Sequence, residues 1–183
     1  MDWEFAILNF FQTNIRNPVL DVVMVCISTL GKVGIIWILF AIITLITKKY
    51  RRLGTKISAA LIITLICCSC ILKPIVNRIR PYDLNPTVNL LISKEIDTSF
   101  PSGHTFFAFS VATVCFMYNK KLGILMYAFA FAMAFSRIYL YMHFPTDVLF
   151  GMIFGIIVGI FASKLENYIF DNNPKLDNKA YLR

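Results

Sequence analysis

Long apolar runs separated by short polar connections dominate the sequence. Six such runs follow one another, and their flanking residues extend them toward the about 20 residues that a helix needs to cross a bilayer. The brief break at residues 31–34 predicts a tight hairpin between the first two spans. We therefore predict an all-α fold, a six-span transmembrane helical bundle in one domain (1–183), with spans at about 17–30, 33–48, 55–73, 103–119, 121–141 and 145–164.

Residues 1–14 show an amphipathic pattern instead of a continuous apolar run. Trp3, Ile7 and Phe10 recur on one helical face, and Glu4 and Asn9 lie mostly opposite. A helix with one apolar and one polar face is typical of a segment lying in the membrane interface. We therefore predict an N-terminal interfacial helix at about 1–14. A tail without regular structure before the first span is the alternative.

The composition agrees with a membrane protein. Of the 183 residues, 58% are hydrophobic and 15% are charged, whereas soluble domains are about 45–50% apolar. The net charge of +8 could indicate nucleic-acid binding, but Lys and Arg lie in short connections rather than along one polar face. We therefore expect no nucleic acid among the partners and expect contact with membrane lipids instead.

The five cysteines all lie inside apolar runs, and the chain contains only two histidines. Neither His104 nor His143 is close in sequence to the cysteines at positions 67, 68 and 70. We interpret the cysteines as packing residues and predict neither a metal site nor a cofactor. The sequence does not indicate an oligomeric state.

Basic residues cluster in alternate connections and in the C-terminal tail. Under the positive-inside rule these segments are cytoplasmic, which predicts a multi-pass cell-membrane protein with cytoplasmic N- and C-termini. The long connection at residues 73–103 then faces outward, although it also contains basic residues. Basic residues that violate the rule indicate an anion site. The residues that follow the rule are Lys48, Lys49, Arg51, Arg52, Lys56, Lys120, Lys121, Lys164, Lys175, Lys179 and Arg183, and those that violate it are Lys73, Arg78, Arg80 and Lys94.

The first candidate motif lies at the start of this outward connection. Lys73 ends the third span, and Arg80 follows in the loop. Two cations at this separation can converge on one phosphate, Arg80 through its planar fork and Lys73 as a point charge. The alternative interpretation is that both side chains extend to lipid headgroups.

The second candidate motif, Phe-Pro-Ser-Gly-His-Thr, immediately precedes the fourth span. Ser102 suits a helix N-cap, and Gly103 allows a ligand to approach the backbone. Helix starts bind phosphate through free amide groups, and His104 would lie beside the bound anion as a general acid. A plain helix cap with an interfacial histidine is the alternative.

The third candidate motif joins the fifth and sixth spans. Arg137 closes the fifth span, and His143 and Asp147 open the sixth. If the helix has already begun at His143, the four-residue spacing places Asp147 on the same face. A carboxylate on one imidazole nitrogen would fix the tautomer and leave the other nitrogen free to attack.

Together the three motifs resemble the type 2 phosphatidic acid phosphatase family, which shares its site architecture with vanadium haloperoxidases. The family pattern is Lys-x6-Arg-Pro, then Pro-Ser-Gly-His, then Ser-Arg-x5-His-x3-Asp. The resemblance covers residues 73–147, and the six-span plan extends it over nearly the whole chain. The matching residues are Lys73, Arg80, Pro81, Pro101, Ser102, Gly103, His104, Ser136, Arg137, His143 and Asp147.

The resemblance implies a metal-free mechanism in two steps. His143 attacks phosphorus to give a phosphohistidine while Asp147 holds the ring, and His104 protonates the leaving oxygen and then activates water. The phosphoryl oxygens are held by Lys73, Arg80, Ser102, Gly103 and Arg137.

The substrate expected from the resemblance is a lipid phosphate. An outward-facing site favours undecaprenyl pyrophosphate, whereas phosphatidylglycerophosphate, phosphatidic acid, lipid A phosphate and phosphate transfer to another lipid are alternatives. A small transporter is the alternative outside enzymes, although the predicted spans carry few charges. Peroxidase chemistry with bound vanadate is disfavoured because those relatives are larger and soluble.

Overall fold

The computed structural model describes residues 2–172, the side chain of Val33 excepted. Within this range the chain forms helices and no strands, which confirms the all-α prediction. The tail residues Lys175, Lys179 and Arg183 lie outside the described residues. π-helical turns at Phe11–Ile15 and Ile66–Leu72 follow α1 and α4. The helices of the described range are α1 Asp2–Phe10, α2 Pro18–Leu30, α3 Ile35–Ile46, α4 Arg51–Leu65, α5 Lys73–Val76, α6 Pro81–Leu84, α7 Gly103–Tyr118, α8 Lys120–Tyr139 and α9 Pro145–Asp171.

Helix α7 is the central helix of the bundle. Every residue from Ser110 to Cys115 is buried, because α4, α8 and α9 all pack against it. Outside this core, many Ile, Leu, Val and Phe side chains on the other helices are exposed. An apolar surface of this extent is expected of a protein surrounded by lipid.

Helices α7 and α9 pack closely and run parallel. Gly151 of α9 meets Thr105, and Gly159 meets Thr113, so positions along both helices advance in the same direction. An added Cβ on Gly155 would lie 2.7 Å from the Cβ of Phe109. Small residues at four-residue steps allow such an approach. The parallel packing places the starts of both helices at the same end of the bundle.

The predicted hairpin between the first two spans is wrong. Helices α2 and α3 are bent by 53° at their break and are long and apolar enough to span a membrane only as a pair. Each alone is about 20 Å long, shorter than the about 30 Å of a bilayer core. The six-span count is therefore not confirmed. The other helical segments long enough to span are Lys48–Leu84, Lys120–Tyr139 and Pro145–Asp171, with the shorter apolar Gly103–Tyr118 between them.

The N-terminal helix α1 buries Glu4, a member of its predicted polar face, together with Leu8 against the protein. Trp3 and Phe10 are more than half exposed, whereas Glu4 is buried. The amide of Gln12, just after the helix, donates to the backbone carbonyl of Tyr139. An outward apolar face is what a helix in the membrane interface needs, and the interfacial position itself stays a prediction.

Helix α1 and the end of α9 lie at opposite ends of the bundle. Glu4 contacts Thr146 in the first turn of α9, whereas Glu166, about 30 Å further along this helix, contacts Thr55 of α4. The side of the membrane on which each terminus lies stays a prediction. We call the end with Thr146 the site end and the end with Glu166 the far end.

Candidate active site

The three predicted motifs meet around one cavity of about 740 Å³ at the site end. Arg80, Ser102 and Asp147 lie behind the cavity wall and are buried. The structure therefore brings together all eight predicted site residues, although only five line the cavity. The lining residues from the motifs are Lys73, Gly103, His104, Arg137 and His143, and the loop at residues 85–102 adds Glu95 and Asp97.

His143 lies in the short turn between α8 and α9 and is 1% exposed. Its Nδ1 lies 2.7 Å from the carbonyl oxygen of Ser99, and because a carbonyl only accepts, Nδ1 carries the proton. The unprotonated Nε2 lies 3.3 Å from Nη1 of Arg80. Burial, together with the charges of Arg80 and Arg137, holds the pKa of His143 well below its usual value. The ring is therefore neutral near pH 7, as a nitrogen nucleophile must be.

Asp147 does not hold His143 directly. Its Oδ2 lies 3.9 Å from Nδ1 of His143, which is beyond hydrogen-bond distance. The same oxygen accepts from the hydroxyl of Ser99 at 2.5 Å and from the amide of Phe144 at 2.9 Å. The spacing predicted that His143 and Asp147 share one helical face. They do not, because α9 begins at Pro145 and His143 lies before it. Asp147 is thus linked to the imidazole through Ser99, a residue that the sequence analysis missed.

The three predicted phosphate-binding cations are paired with carboxylates of the loop. Lys73 Nζ lies 2.7 Å from Asp97, Arg137 Nη2 lies 2.5 Å from Glu95, and Arg80 pairs with both acids. Burial tends to raise the pKa of each acid, but the neighbouring cations outweigh it and hold both pKa values below their usual range. Carboxylate oxygens engage a guanidinium in the same forked geometry as phosphate oxygens. A bound phosphoryl group would therefore compete with these two side chains.

The second motif opens α7. Ser102 is the N-cap residue, but its hydroxyl accepts from Thr105 instead of capping an amide. Gly103 begins the helix and lines the cavity, so amide groups without intrahelical acceptors lie at its wall. No group among residues 2–172 hydrogen-bonds to the ring of His104. This imidazole is therefore available to a bound ligand.

A second polar cluster, absent from the predicted site, lies behind Asp147. Arg78 lies 2.6 Å from Asp147 and 2.6 Å from Glu4 of α1, and its guanidinium packs 4.1 Å from the ring centre of Phe144. The only sequence signal for Arg78 was its charge on the outward side. Nothing in the sequence distinguished Ser99 from other polar loop residues.

The sequence is similar to those of known proteins. Residues 53–171 match the family model of the PAP2 superfamily. The chain is 33% identical to undecaprenyl-diphosphatase BcrC of Bacillus subtilis over 158 residues, 84% of this chain and 79% of that protein. It is 42% identical to the bacitracin transport permease protein BcrC of Bacillus licheniformis over 83 residues. The latter match spans 45% of this chain and less than half, 41%, of that protein.

Two crystal structures share the fold. The structure of Aquifex aeolicus LpxE is similar with a TM-score of 0.69 and 34% identity, covering 86% of this chain and 94% of that chain. The transmembrane PAP2-type phosphatidylglycerolphosphate phosphatase of Bacillus subtilis has a TM-score of 0.75 and 24% identity, covering 92% and 86%. At this lower identity the second likeness shows the fold alone.

Proposed function

The chain belongs to the PAP2 superfamily and is a membrane lipid phosphatase, and we propose that it hydrolyses undecaprenyl pyrophosphate through a phosphohistidine intermediate. The observation that carries this proposal is the convergence of His143, His104, Lys73 and Arg137 on one cavity, with Arg80 buried behind its wall. A neutral nucleophile, a second imidazole and a positively charged cradle are the components that metal-free phosphoryl transfer requires.

In the first step, Nε2 of His143 attacks the terminal phosphorus, and the bond from phosphorus to the bridging oxygen breaks. His104 in its protonated form gives its proton to that oxygen, and the lipid monophosphate leaves. In the second step, His104 takes a proton from a water molecule that attacks the phosphohistidine. Inorganic phosphate leaves and His143 is regenerated.

The cations supply most of the transition-state stabilisation in this scheme. Lys73, Arg80 and Arg137 would hold the phosphoryl oxygens, on which negative charge is spread during transfer. For that, the substrate must displace Glu95 and Asp97 from the same side chains. Until substrate arrives, the carboxylates keep the buried cations from being left without a counter-charge.

The shape of the cavity supports a diphosphate substrate. It extends past His104 to the break between α2 and α3, where Gly31 lies so close that an added Cβ would be 2.8 Å from Cδ2 of His104. Lys32, the next residue, lines the cavity and has no carboxylate partner within residues 2–172. Since His104 faces the leaving group, Lys32 lies where the inner phosphate of a diphosphate would be placed. Its charge would stabilise the departing lipid monophosphate.

The charge distribution supports an outward-facing site. Lys49 lies in the α3–α4 connection at the far end, and Arg51 and Lys56 lie in the first turns of α4 beside it. Lys120 begins α8 at that same end. The positive-inside rule would make the far end cytoplasmic and the site end outward. Helix α1 would then lie at the outer surface, together with the site.

The test of this proposal is a comparison of purified lipid phosphates with the protein in detergent. We expect the highest kcat/KM with undecaprenyl pyrophosphate, relative to phosphatidic acid, phosphatidylglycerophosphate and lipid A phosphate. Acid-labile radiolabelled phosphate should be trapped on the wild-type chain and not on His143→Ala. Retained turnover in His143→Ala would contradict the assignment of the nucleophile.

The variant Lys32→Gln tests the diphosphate preference separately. We expect kcat/KM for the diphosphate to fall about 10-fold or more, equivalent to about 1.4 kcal/mol, while the monoester phosphatidic acid is little affected. Lys121→Gln is the matched control, since Lys121 is an exposed lysine in the first turn of α8 at the far end and does not line the cavity. Equal losses with both substrates would contradict a subsite for the inner phosphate.

A phosphotransferase is distinguished by its product. Supplying a second lipid alcohol during turnover would yield a phosphorylated acceptor in place of inorganic phosphate. The relative from Bacillus licheniformis is named a bacitracin transport permease protein, so transport is a second activity to test. The measurement is movement of bacitracin across the membrane of vesicles that contain the His143→Ala variant.

A further inference from the structure

Glu4 is a buried acid on a helix whose apolar face points outward, and it is 4% exposed. Its Oε2 accepts from Nη2 of Arg78, and its Oε1 accepts from the hydroxyl of Thr146, both at 2.6 Å. Nη1 of Arg78 donates to the same hydroxyl oxygen, which closes a ring of three side chains. Binding at a membrane interface needs only the apolar face of a helix and exposed charges. A buried carboxylate with two short contacts therefore has a role inside the protein.

Arg78 connects this ring to the two residues that fix the nucleophile. Its Nη1 donates to Oδ1 of Asp147 at 2.6 Å, and its backbone carbonyl accepts from the amide of Ser99 at 2.8 Å. Ser99 in turn donates to Asp147 and accepts from Nδ1 of His143. Four successive contacts thus connect Glu4 to the imidazole, through the Arg78 guanidinium, Asp147 and Ser99.

The charges explain why Glu4 matters for this connection. Asp147 is fully buried and Arg78 is its only cationic partner within the described residues, whereas the Arg78 side chain is 22% exposed. Without Glu4, the guanidinium loses one of its two carboxylates and can turn toward solvent, away from Asp147. A buried carboxylate that loses its cation is strongly destabilised, so its hydrogen bond to Ser99 would be disturbed as well.

We propose that Glu4 is a positioning residue for the histidine nucleophile. It holds Arg78, and Arg78 fixes Asp147 and Ser99 and thereby the orientation of His143. The inference rests on the proposed function of His143. Because the family match begins at residue 53, this role falls to a helix outside the matched region.

The primary test is Glu4→Gln, assayed in detergent on a lipid phosphate that the wild type hydrolyses. We expect kcat to fall about 10-fold, the size of effect seen when outer partners of an oriented histidine are lost. KM should stay within about twofold, because Ser99 contacts Nδ1 and not the phosphate-binding cations. Asp2→Asn is the matched control, as it removes an exposed carboxylate from the same helix.

A rapid-quench measurement separates positioning from a general loss of stability. Phosphohistidine formation per active site, with sites counted by vanadate binding, should be slowed in Glu4→Gln. A variant with fewer active sites but the wild-type rate per site would overturn the proposal. A Glu4→Gln variant indistinguishable from the wild type would overturn it as well.

A double variant tests whether Glu4 acts through Arg78. The pair Glu4→Gln with Arg78→Gln should be no slower than Arg78→Gln alone, and multiplicative losses would contradict the proposal. Should Arg78→Gln fail to fold, Thr146→Val replaces it. The loss of kcat in the double variant with Glu4→Gln should then be smaller than the product of the two single losses. A wild type that hydrolyses no lipid phosphate would refute the proposed function, whereas an unaffected Glu4→Gln refutes only this inference.

Discussion

The two ends of α9 each carry a buried carboxylate beside cations, yet only one end is a candidate active site. Asp147 lies in the first turn and is fully buried, and Glu166 near the other end is 5% exposed. Each accepts a hydrogen bond from a hydroxyl group, Asp147 from Ser99 and Glu166 from Thr55. Each also pairs with basic side chains on another segment.

The difference lies in what the partners of each carboxylate contact in turn. Glu166 joins α9 to α4 through Arg52 and Lys56, and the site cavity has no lining residue there. At the site end, Ser99 accepts from His143, whose other nitrogen meets Arg80 at the phosphate-binding cations. A buried ion pair thus joins helices at one end and orients a reactive ring at the other. Both carboxylates are buried, so burial does not distinguish the two ends. The site end differs because its carboxylate is connected to His143, a titratable residue that lines the cavity.

Neutralising each carboxylate is the strongest way to test this difference. Both oxygens of Asp147 accept hydrogen bonds, from Arg78, from Ser99 and from the Phe144 amide. In Asp147→Asn one oxygen becomes an NH2 group, which donates and therefore cannot accept from the donor that it faces. We expect kcat to fall about 100-fold. Turnover of Glu166→Gln, measured in parallel, should stay within twofold of the wild type. Similar losses in both variants would remove the distinction between the ends.

The pH dependence of kcat/KM should respond at the site end alone. Only neutral His143 attacks, and its lowered pKa keeps the ring neutral as the pH falls, so the acid limb should lie below pH 6.5. Arg80→Gln removes a positive charge beside the ring and should move that limb to higher pH. The limb should not move in Glu166→Gln. A wild-type limb above pH 6.5, after allowance for substrate ionisation, would be inconsistent with the geometry around His143.

The loop carboxylates give a smaller effect of opposite sign. Asp97 competes with phosphate for Lys73 and Arg80, so Asp97→Asn should tighten inhibition by orthovanadate about 3–10-fold. Asp83→Asn, which removes a carboxylate from the exposed pair with Lys94, serves as control. Weaker inhibition in Asp97→Asn would mean that the carboxylate holds the cations in place for the substrate.

The smallest effect is expected on stability at the far end. Glu166→Gln keeps an acceptor for Thr55 but loses the charge facing Lys56 and the partly exposed Arg52. We expect a loss of about 1 kcal/mol in the free energy of unfolding, since solvent screens part of this cluster. Thermal unfolding in detergent, with and without 1 M salt, measures it. An unchanged midpoint would show that the pairs at this end contribute little.

The motifs were predictable because chemistry restricts their residue types. Few side chains can hold a phosphoryl group or attack it, and His104, Arg137 and His143 stand at the ends of recognisable apolar runs. Successive spans cross the membrane in alternate directions, so the order of the apolar runs places the three motifs at helix ends on the same side. Helix ends on one side of a membrane lie at one face of the bundle, which is why the motifs were expected to converge. The cavity lined by these residues agrees with that expectation.

The sequence by itself determined the all-α fold, the membrane environment and the side chains available for chemistry. Only the tertiary structure decided that α2 and α3 form a bent pair, that α1 turns Glu4 inward, and that Ser99 stands between Asp147 and His143. The physical reason is that lipid and protein interior are equally apolar, so periodicity shows which face of a helix is apolar but not what covers it. The partners of a buried polar group come from distant segments, and only folding brings them together.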